Sequence, residues 1–434
     1  MNHLNKRAWI IIAAAAVIAV LMAIIIIFAP TGSTSAPVML TVSPDGGGKK
    51  PETTVTTGEA SVVTYGTNSY TVPQSLTESE MRAVWVPYMS LYGLTKEGID
   101  KIVSDCRNIG ANAIIFHVRP FGDAVYDSEF FPWSHLLTGT QGADPGYDPL
   151  EYAIEKAHEN GMELHAWINP LRISLSGGTP SPLSADNPYT KWRTDSDPSN
   201  DSWVVDYNGG KYYNPAVPEV RRLIIDGMVE IAAKYNVDGI HWDDYFYPAE
   251  DSSFGDGAQY SAYTASGGTA SLIEWRTENI NTLIRESYSR IKATDSSCIF
   301  GISPAGNIQN CLNAGADVYK WCSSGGYIDY ICPQIYWTFE SKVAPFDARC
   351  REWKAMVTND DIDFYVGLAL YKAGSDADGG QWKRSTNIIA RQIEYLRSDA
   401  VRADGFMLYS YEYISGSQTF SEMENLIALL AANE

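Results

Sequence analysis

The chain has 434 residues, 45% hydrophobic and 19% charged, which is enough to bury a sizeable core and too apolar to stay disordered. Its 52 acidic against 32 basic residues give a formal charge of -20, which repels nucleic acid phosphates and anionic membrane surfaces and points to neutral or cationic partners.

In chain order, the first feature is "MNHLNKRAWIIIAAAAVIAVLMAIIIIFAP", in which Lys6 and Arg7 precede an uncharged apolar run from Ala8 to Ala29. About twenty apolar residues cross a bilayer as a helix. The apolar core is longer than that of a cleaved signal peptide, and the small residues before Pro37 make a poor cleavage site. Residues 1–30 are therefore expected to be an uncleaved signal anchor. Its basic residues lie on the amino side, which leaves the rest of the chain outside the cytoplasm. No Cys follows the run, so a lipid anchor has no support. Residues 31–80, rich in Ser, Thr, Gly and Pro without periodicity, are expected to be a disordered linker.

From Met81 to Glu434 short apolar runs alternate with helical patterns, as parallel βα units require. Eight such runs stand out: "MRAVWVPY", "ANAIIFHVRP", "MELHAWINPL", "VDGIHWDDYF", "CIFGISPAG", "YIDYICPQIYW", "DFYVGLALYK" and "ADGFMLYSYEYI". Eight units predict an α/β fold, a closed (β/α)8 TIM barrel over residues 81–434. The intervening helices are predicted to stop near Gly110, Gly161 and Asn236. The segment exceeds the roughly 250 residues typical of the fold. Its surplus falls mainly after the second to fifth strands, as long loops on the carboxyl-terminal face where barrel enzymes carry their sites.

The six Cys are even in number in a chain expected to be exported. Cys106, Cys298 and Cys332 fall in apolar patterns and read as buried thiols. Cys311 and Cys322 share one loop region and are close enough in sequence to pair.

Polar residues interrupt the strand ends. His117 and Arg119 close the second run, Trp167 and Asn169 the third, and His241, Asp243 and Asp244 the fourth. Gln334, Tyr336 and Trp337 close the sixth, Tyr371 the seventh, and Tyr409 and Glu412 the eighth. In a barrel all of these converge on one mouth. Strand alternation puts His241 and Asp243 on one face, and Trp242 and Asp244 on the other. Two adjacent acids repel each other's charge, so one holds its proton to higher pH. Such a pair suits glycosidic bond cleavage, with one group protonating the leaving oxygen and the other supporting positive charge or a nucleophile. A metal reading would use Asp243, Asp244 and His241, without an HExxH or His-x-His cluster to support it, and a third reading leaves both acids in a solvated turn. No cofactor is expected. His117 and Arg119 either clamp a polar substrate group or tie the second strand to Asp243. Asn169 bonds a sugar hydroxyl or the carboxylate pair. Trp167, Tyr336 and Trp337 are candidate sugar platforms, since flat amphipathic rings suit that task. Glu412, Glu340 and Asp123 are further possible carboxylates.

The long motifs "VRPFGDAVYDSEFFPWSHLLTGTQGADPGYDPLEYAIEKAHENGMELHAWINPLRIS", "YNPAVPEVRR", "VDGIHWDDYFYP", "GISPAGN" and "YICPQIYW" resemble the glycosyl hydrolase-like 10 family of bacterial envelope proteins. The resemblance runs from Met81 to about Ile414. It implies an exported or membrane-anchored (β/α)8 barrel acting on peptidoglycan glycan strands or a related amino-sugar polymer; a non-catalytic glycan-binding barrel is the alternative, and the protein is expected to be a monomer. More distantly, "DGIHWDDY", "QIYW" and "GFMLYSYE" are similar to motifs of family 18 chitinases. In that pattern, DGxDxDxE, only Asp238 and Asp243 match; His241 replaces the middle Asp and Tyr245 replaces the terminal acid. The likeness implies that one Asp orients the substrate's N-acetyl group while the other gives the proton, with Asp244 preferred as the acid.

Overall fold

A computed structural model describes residues 80–432, apart from 178, 179 and 181, together with two strands, Ser61–Tyr65 and Asn68–Val72. Eight parallel strands close into a barrel: β1 Met81–Val86, β2 Ala113–Arg119, β3 Glu163–Ile168, β4 Gly239–Trp242, β5 Ile299–Ile302, β6 Tyr330–Ile331, β7 Asp363–Leu368 and β8 Gly405–Tyr409. Each pairs with its sequence neighbours, and β8 closes on β1 from Gly405 opposite Met81 to Tyr409 opposite Trp85. Every strand lies within one of the eight apolar runs.

The outer helices include α1 Lys96–Asn108, α2 Pro149–Glu159, α3 Pro218–Lys234, α4 Leu272–Thr294, α5 Val318–Ser323, α6 Phe346–Met356, α7 Ile388–Arg397 and α8 Phe420–Ala431. The first three end within two residues of the predicted stops. Gly110 and Gly161 take φ of +83° and +68°, the left-handed conformation that ends a helix at little cost to Gly.

Side chains alternate along the strands. Val84, Ile114, Leu164, Ile240, Phe300 and Phe406 face the helices, and Ala83, Trp85, Ile115, Trp167, Tyr330 and Met407 fill the barrel. The interior holds large rings because glycines stand opposite them. A Cβ on Gly301 would lie 2.1 Å from the Tyr330 ring, and one on Gly367 would lie 2.9 Å from Trp85.

The surplus length is on the carboxyl-terminal face, chiefly in residues 120–148, 169–217 and 243–271, after β2, β3 and β4. The second of these holds a small antiparallel sheet of Arg172–Ser174, Gly210–Tyr213 and Val204–Tyr207. After β5 the excess is smaller than predicted, because the short helix Ile308–Asn313 starts soon after the strand. The segment 369–387 after β7 is longer than predicted.

Two expectations are corrected. Within the expected linker, Ser61–Tyr65 and Asn68–Val72 pair as an antiparallel hairpin, with Ser61 opposite Val72. The β-branched residues of "SVVTY" and "NSYTV" on either side of Gly66-Thr67 account for it. All six Cys are buried thiols with no disulfide between them, so Cys311 and Cys322 do not bridge; the Cys311 thiol instead donates to the Ala305 carbonyl at 3.1 Å. Among the described residues no helix is long and apolar enough to cross a membrane; the expected anchor, residues 1–30, lies outside them.

Candidate active site

β4 ends at Trp242, and the chain turns out of the sheet with Asp243 on the barrel side and Asp244 one step further toward the mouth. Trp242 points outward, its indole N–H directed at the sulfur of Met228 on α3 at 3.1 Å. Asp243 is 3% exposed and Asp244 is half-buried.

Three donors hold Asp243. Trp167 Nε1 donates to Oδ2 at 3.0 Å, Asn169 Nδ2 donates to the same oxygen at 3.4 Å, and the Tyr245 backbone N–H donates to Oδ1 at 3.4 Å. Burial nevertheless pushes Asp243 up to about 7; Arg172 opposes the rise and the Asp244 charge adds to it. Asp244 is pushed up to about 6 by burial, against its own backbone amide, a hydrogen bond from Gln334 and the charge of Arg172. Gln334 is fixed in turn, its amide donating to the Ser303 carbonyl at 3.1 Å.

Arg172 carries the local positive charge, and sequence reasoning missed it. It is 3% exposed, its Nε donates to the Pro120 carbonyl at 3.1 Å, and its guanidinium lies 4.4 Å from the centre of the Tyr245 ring. Burial works against its charge, but Tyr245 and Asp243 more than offset this, so its pKa stays above the ordinary value. Asn169 ties the two charges together, since its Oδ1 accepts the Arg172 backbone N–H at 3.0 Å while its amide reaches Asp243. The available signal was Arg172's position three residues after Asn169, in the loop that starts the small sheet.

Beside the pair stand Tyr336, Tyr371 and Tyr409, with ring centroids 5.9 to 6.0 Å apart. All three are half-buried, as is Trp337, and the charge of Asp244 reaches Tyr336. On the other flank, Tyr88 on the loop after β1 meets His117 edge to face at 5.9 Å.

Several predicted site residues lie elsewhere or act differently. Trp167 is no free sugar platform: one face is stacked on His117 at 3.6 Å, 11° from parallel, and the ring is 5% exposed. It serves Asp243 as a donor. His117 is buried, and burial with the neighbouring Arg172 and His241 holds its pKa well below the usual value. Neither of its ring nitrogens has a hydrogen-bond partner among the described residues.

Arg119 does not reach the mouth. The ladder to β3 shifts register between His117 and Arg119, a bulge that turns Arg119 to the helix side. There its guanidinium sits 4.4 Å over Phe131, against α3 at Gly227, where a Cβ would come within 2.6 Å of both side chains. The clamp and the tie to Asp243 are therefore both replaced by a packing role.

His241 lies under the floor of the site, fully buried, and contacts no substrate from there. Trp85 Nε1 can only donate, so His241 Nε2 accepts at 3.1 Å and Nδ1 carries the proton toward Tyr330 Oη at 2.8 Å. Tyr330 then donates to His165 Nδ1 at 3.2 Å, and His165 Nε2 donates to Glu163 at 3.2 Å. With both nitrogens engaged, His241 is no free ligand for the metal reading. Asp238 lies at the opposite end of β4, accepting the Leu164 N–H at 2.8 Å and facing His158 at 2.8 Å.

Asp123 is enclosed by His135 and Gln141, each at 2.9 Å, and anchors the loop after β2. Glu412 is exposed and accepts from Ser410 Oγ at 2.7 Å, while Glu340 is exposed beside Arg384 at 3.7 Å. None of the three joins the pair.

The arrangement offers one carboxyl that reaches outward, a second that is fixed and buried, a cation to share their charge, and aromatic rings on both flanks. Against known proteins, residues 80–383 match the sequence profile described as Glycosyl hydrolase-like 10. Glycosyl hydrolase YngK of Bacillus subtilis is 36% identical over 329 residues, 69% of this chain and 62% of the relative, so the match leaves more than a third of that protein uncovered. Glycosyl hydrolase DigH of Escherichia coli is 32% identical over 347 residues, 74% of this chain and 76% of the relative. Among solved structures, the PgaB (BpsB) glycoside hydrolase domain from Bordetella bronchiseptica aligns with 82% of this chain and 100% of its own, at a TM-score of 0.52 and 15% identity. The endo-1,4-beta-mannanase from Rhizomucor miehei covers 87% of this chain and 99% of its own at a TM-score of 0.51 and 11% identity. These two similarities concern the fold alone. On the profile match and the two bacterial relatives, the chain belongs to the glycosyl hydrolase-like 10 family of glycosidases.

Proposed function

We propose that the protein is a membrane-anchored, extracytoplasmic glycosidase that cleaves glycan strands of peptidoglycan or a related amino-sugar polymer, acting as a monomer. The observation that carries the reading is the Asp243–Asp244 pair, both raised in pKa by burial and facing Arg172 at the carboxyl-terminal mouth of the barrel. The apolar run Ala8–Ala29 supports the anchor, and the acidic surface argues against nucleic acid as a partner.

The two carboxyls come from consecutive residues and so approach a sugar from one side. The likeness of "DGIHWDDY", "QIYW" and "GFMLYSYE" to chitinase motifs favours the substrate's own acetamido oxygen as the group that attacks C1 from the other face. Asp244, half-buried, gives its proton to the glycosidic oxygen as the C1–O bond breaks. Asp243, held by Trp167 and Asn169, accepts the acetamido N–H and supports the positive charge that develops. Water then opens the cyclic intermediate at C1 and returns a proton to Asp244.

A second reading, a non-catalytic glycan-binding barrel, draws on Tyr245 standing where the chitinase pattern carries its acid. Wild-type protein on purified, peptide-free wall strands separates the two. New reducing ends support the glycosidase, whereas retention on the strands with no product by mass spectrometry supports the binding barrel.

A further inference from the structure

A second concave site lies between the long loops after β2 and β3, and none of its lining residues is Asp243 or Asp244. It encloses about 240 Å³, with Phe130 and Trp133 among its walls and Glu129, Asp186 and Lys191 at its edge. None of these residues contacts Asp243 or Asp244 through the hydrogen bonds described above.

The loop after β2 is held rigidly. Glu230, a buried carboxylate on α3, accepts Ser128 Oγ at 2.6 Å and the Glu129 backbone N–H at 2.7 Å. Ser128 Oγ in turn accepts the N–H groups of Phe130 at 3.1 Å and Phe131 at 3.2 Å. Phe131 rests on the Arg119 guanidinium, and Gly142 N–H bonds the Trp133 carbonyl at 2.8 Å. Arg119, turned away from the mouth by its bulge, thus supports this loop from beneath. The pocket pays little ordering entropy on binding because its walls are already fixed.

The rim chemistry suits one class of ligand. Half-buried Trp133 and Phe130 offer ring surface for the apolar face of a pyranose, and the exposed carboxylates and ammonium accept from and donate to hydroxyl and acetamido groups. Lys191 and Asp186 stand 3.4 Å apart, leaving both signs of charge available at one edge.

The geometry points to this pocket as an auxiliary saccharide-binding site that holds a sugar unit of the polymeric substrate away from the catalytic pair. The inference rests on the proposed function in taking the same glycan as ligand. It assigns the long aromatic loop a role in retaining polymer, a role that short oligosaccharides do not need.

The test uses the full chain carrying Asp244→Asn, so that cleavage does not affect the reading, and measures co-sedimentation with peptide-free insoluble wall glycan. Adding Trp133→Ala is expected to weaken binding about five- to tenfold, with Trp133→Phe retaining most of it. Lys191→Ala, an exposed change that spares the fold, is expected to weaken binding about twofold or more. In the active protein, Trp133→Ala should raise KM for long strands while leaving kcat/KM on a soluble amino-sugar tetrasaccharide unchanged. Unchanged sedimentation in both Trp133→Ala and Lys191→Ala overturns the inference, as does an equal loss on polymer and tetrasaccharide. An active wild type with either outcome leaves the proposed function standing, so the two ideas fail separately.

Discussion

Trp167 donates its indole N–H to Asp243 Oδ2 at 3.0 Å while the face of the same ring lies on His117 at a centroid distance of 3.6 Å. One side chain thus fixes both the rotamer of the buried acid and the packing beneath it. The donor stabilises the ionised form of Asp243, against the burial that raises its pKa.

Trp167→Phe keeps the stacking ring and deletes the donor. A hydrogen bond to a charged acceptor is worth roughly 1.5–3 kcal/mol, so kcat/KM is expected to fall by about tenfold or more. Loss of the donor also raises the Asp243 pKa, the higher of the pair, so the alkaline limb of the pH–rate profile should move to higher pH. A purely structural role would lower activity without moving that limb.

The pair works with one proton. Below about 6 the pair holds two protons and neither carboxyl can support charge; above about 7 it holds none and has no proton to give; between them its one proton rests mainly on Asp243, and the reactive form is the minor one in which that proton sits on Asp244. Activity is therefore expected to be bell-shaped with its maximum between those limbs, which belong to the pair as a whole. Arg172→Met removes the cation that lowers both values, so both limbs should shift to higher pH. Initial rates across pH in wild type and variant check this.

Asp243 also links stability to pH. Its folded pKa, about 7, lies above the roughly 4 of an unfolded Asp. The folded state therefore holds a proton that the unfolded chain has released. That stability is fully present below about pH 4 and is lost as pH rises through about 7. Asp243→Asn cannot ionise, so at pH 8 it should be more stable than wild type, on the order of 1–3 kcal/mol, and at pH 4 nearly equal to it. Thermal unfolding at the two pH values reads the difference.

Gly301→Ala places a methyl 2.1 Å from the Tyr330 ring, in the layer that links His241 to His165. Overpacking of this kind costs about 1–3 kcal/mol, and urea unfolding should show at least that loss.

The strand count was legible because each βα unit repeats a short apolar run followed by a helical pattern, the first three with a Gly or Asn just past the helix end. Depth was not. His241 and Asp243 share a barrel-facing parity, yet two residues along the strand separate a side chain sealed beneath the floor from one that works above it. Parity itself failed at Arg119, where one bulge reverses which face a residue shows. Arg172 escaped notice because it belongs to the small sheet inserted after β3, and only the folded loop brings its charge back over the barrel. Tertiary packing likewise decided Trp167: its ring type suggested a sugar platform, and its neighbours made it a hydrogen-bond donor.

The central claim is that Asp243 and Asp244 perform the chemistry. Reducing-end release from peptide-free wall strands by Asp243→Asn and Asp244→Asn, each shown folded by circular dichroism, tests it most directly. The account predicts a loss of about a hundredfold or more in each variant, the range of a missing general acid or charge-supporting group. Wild-type rates in both folded variants would contradict it.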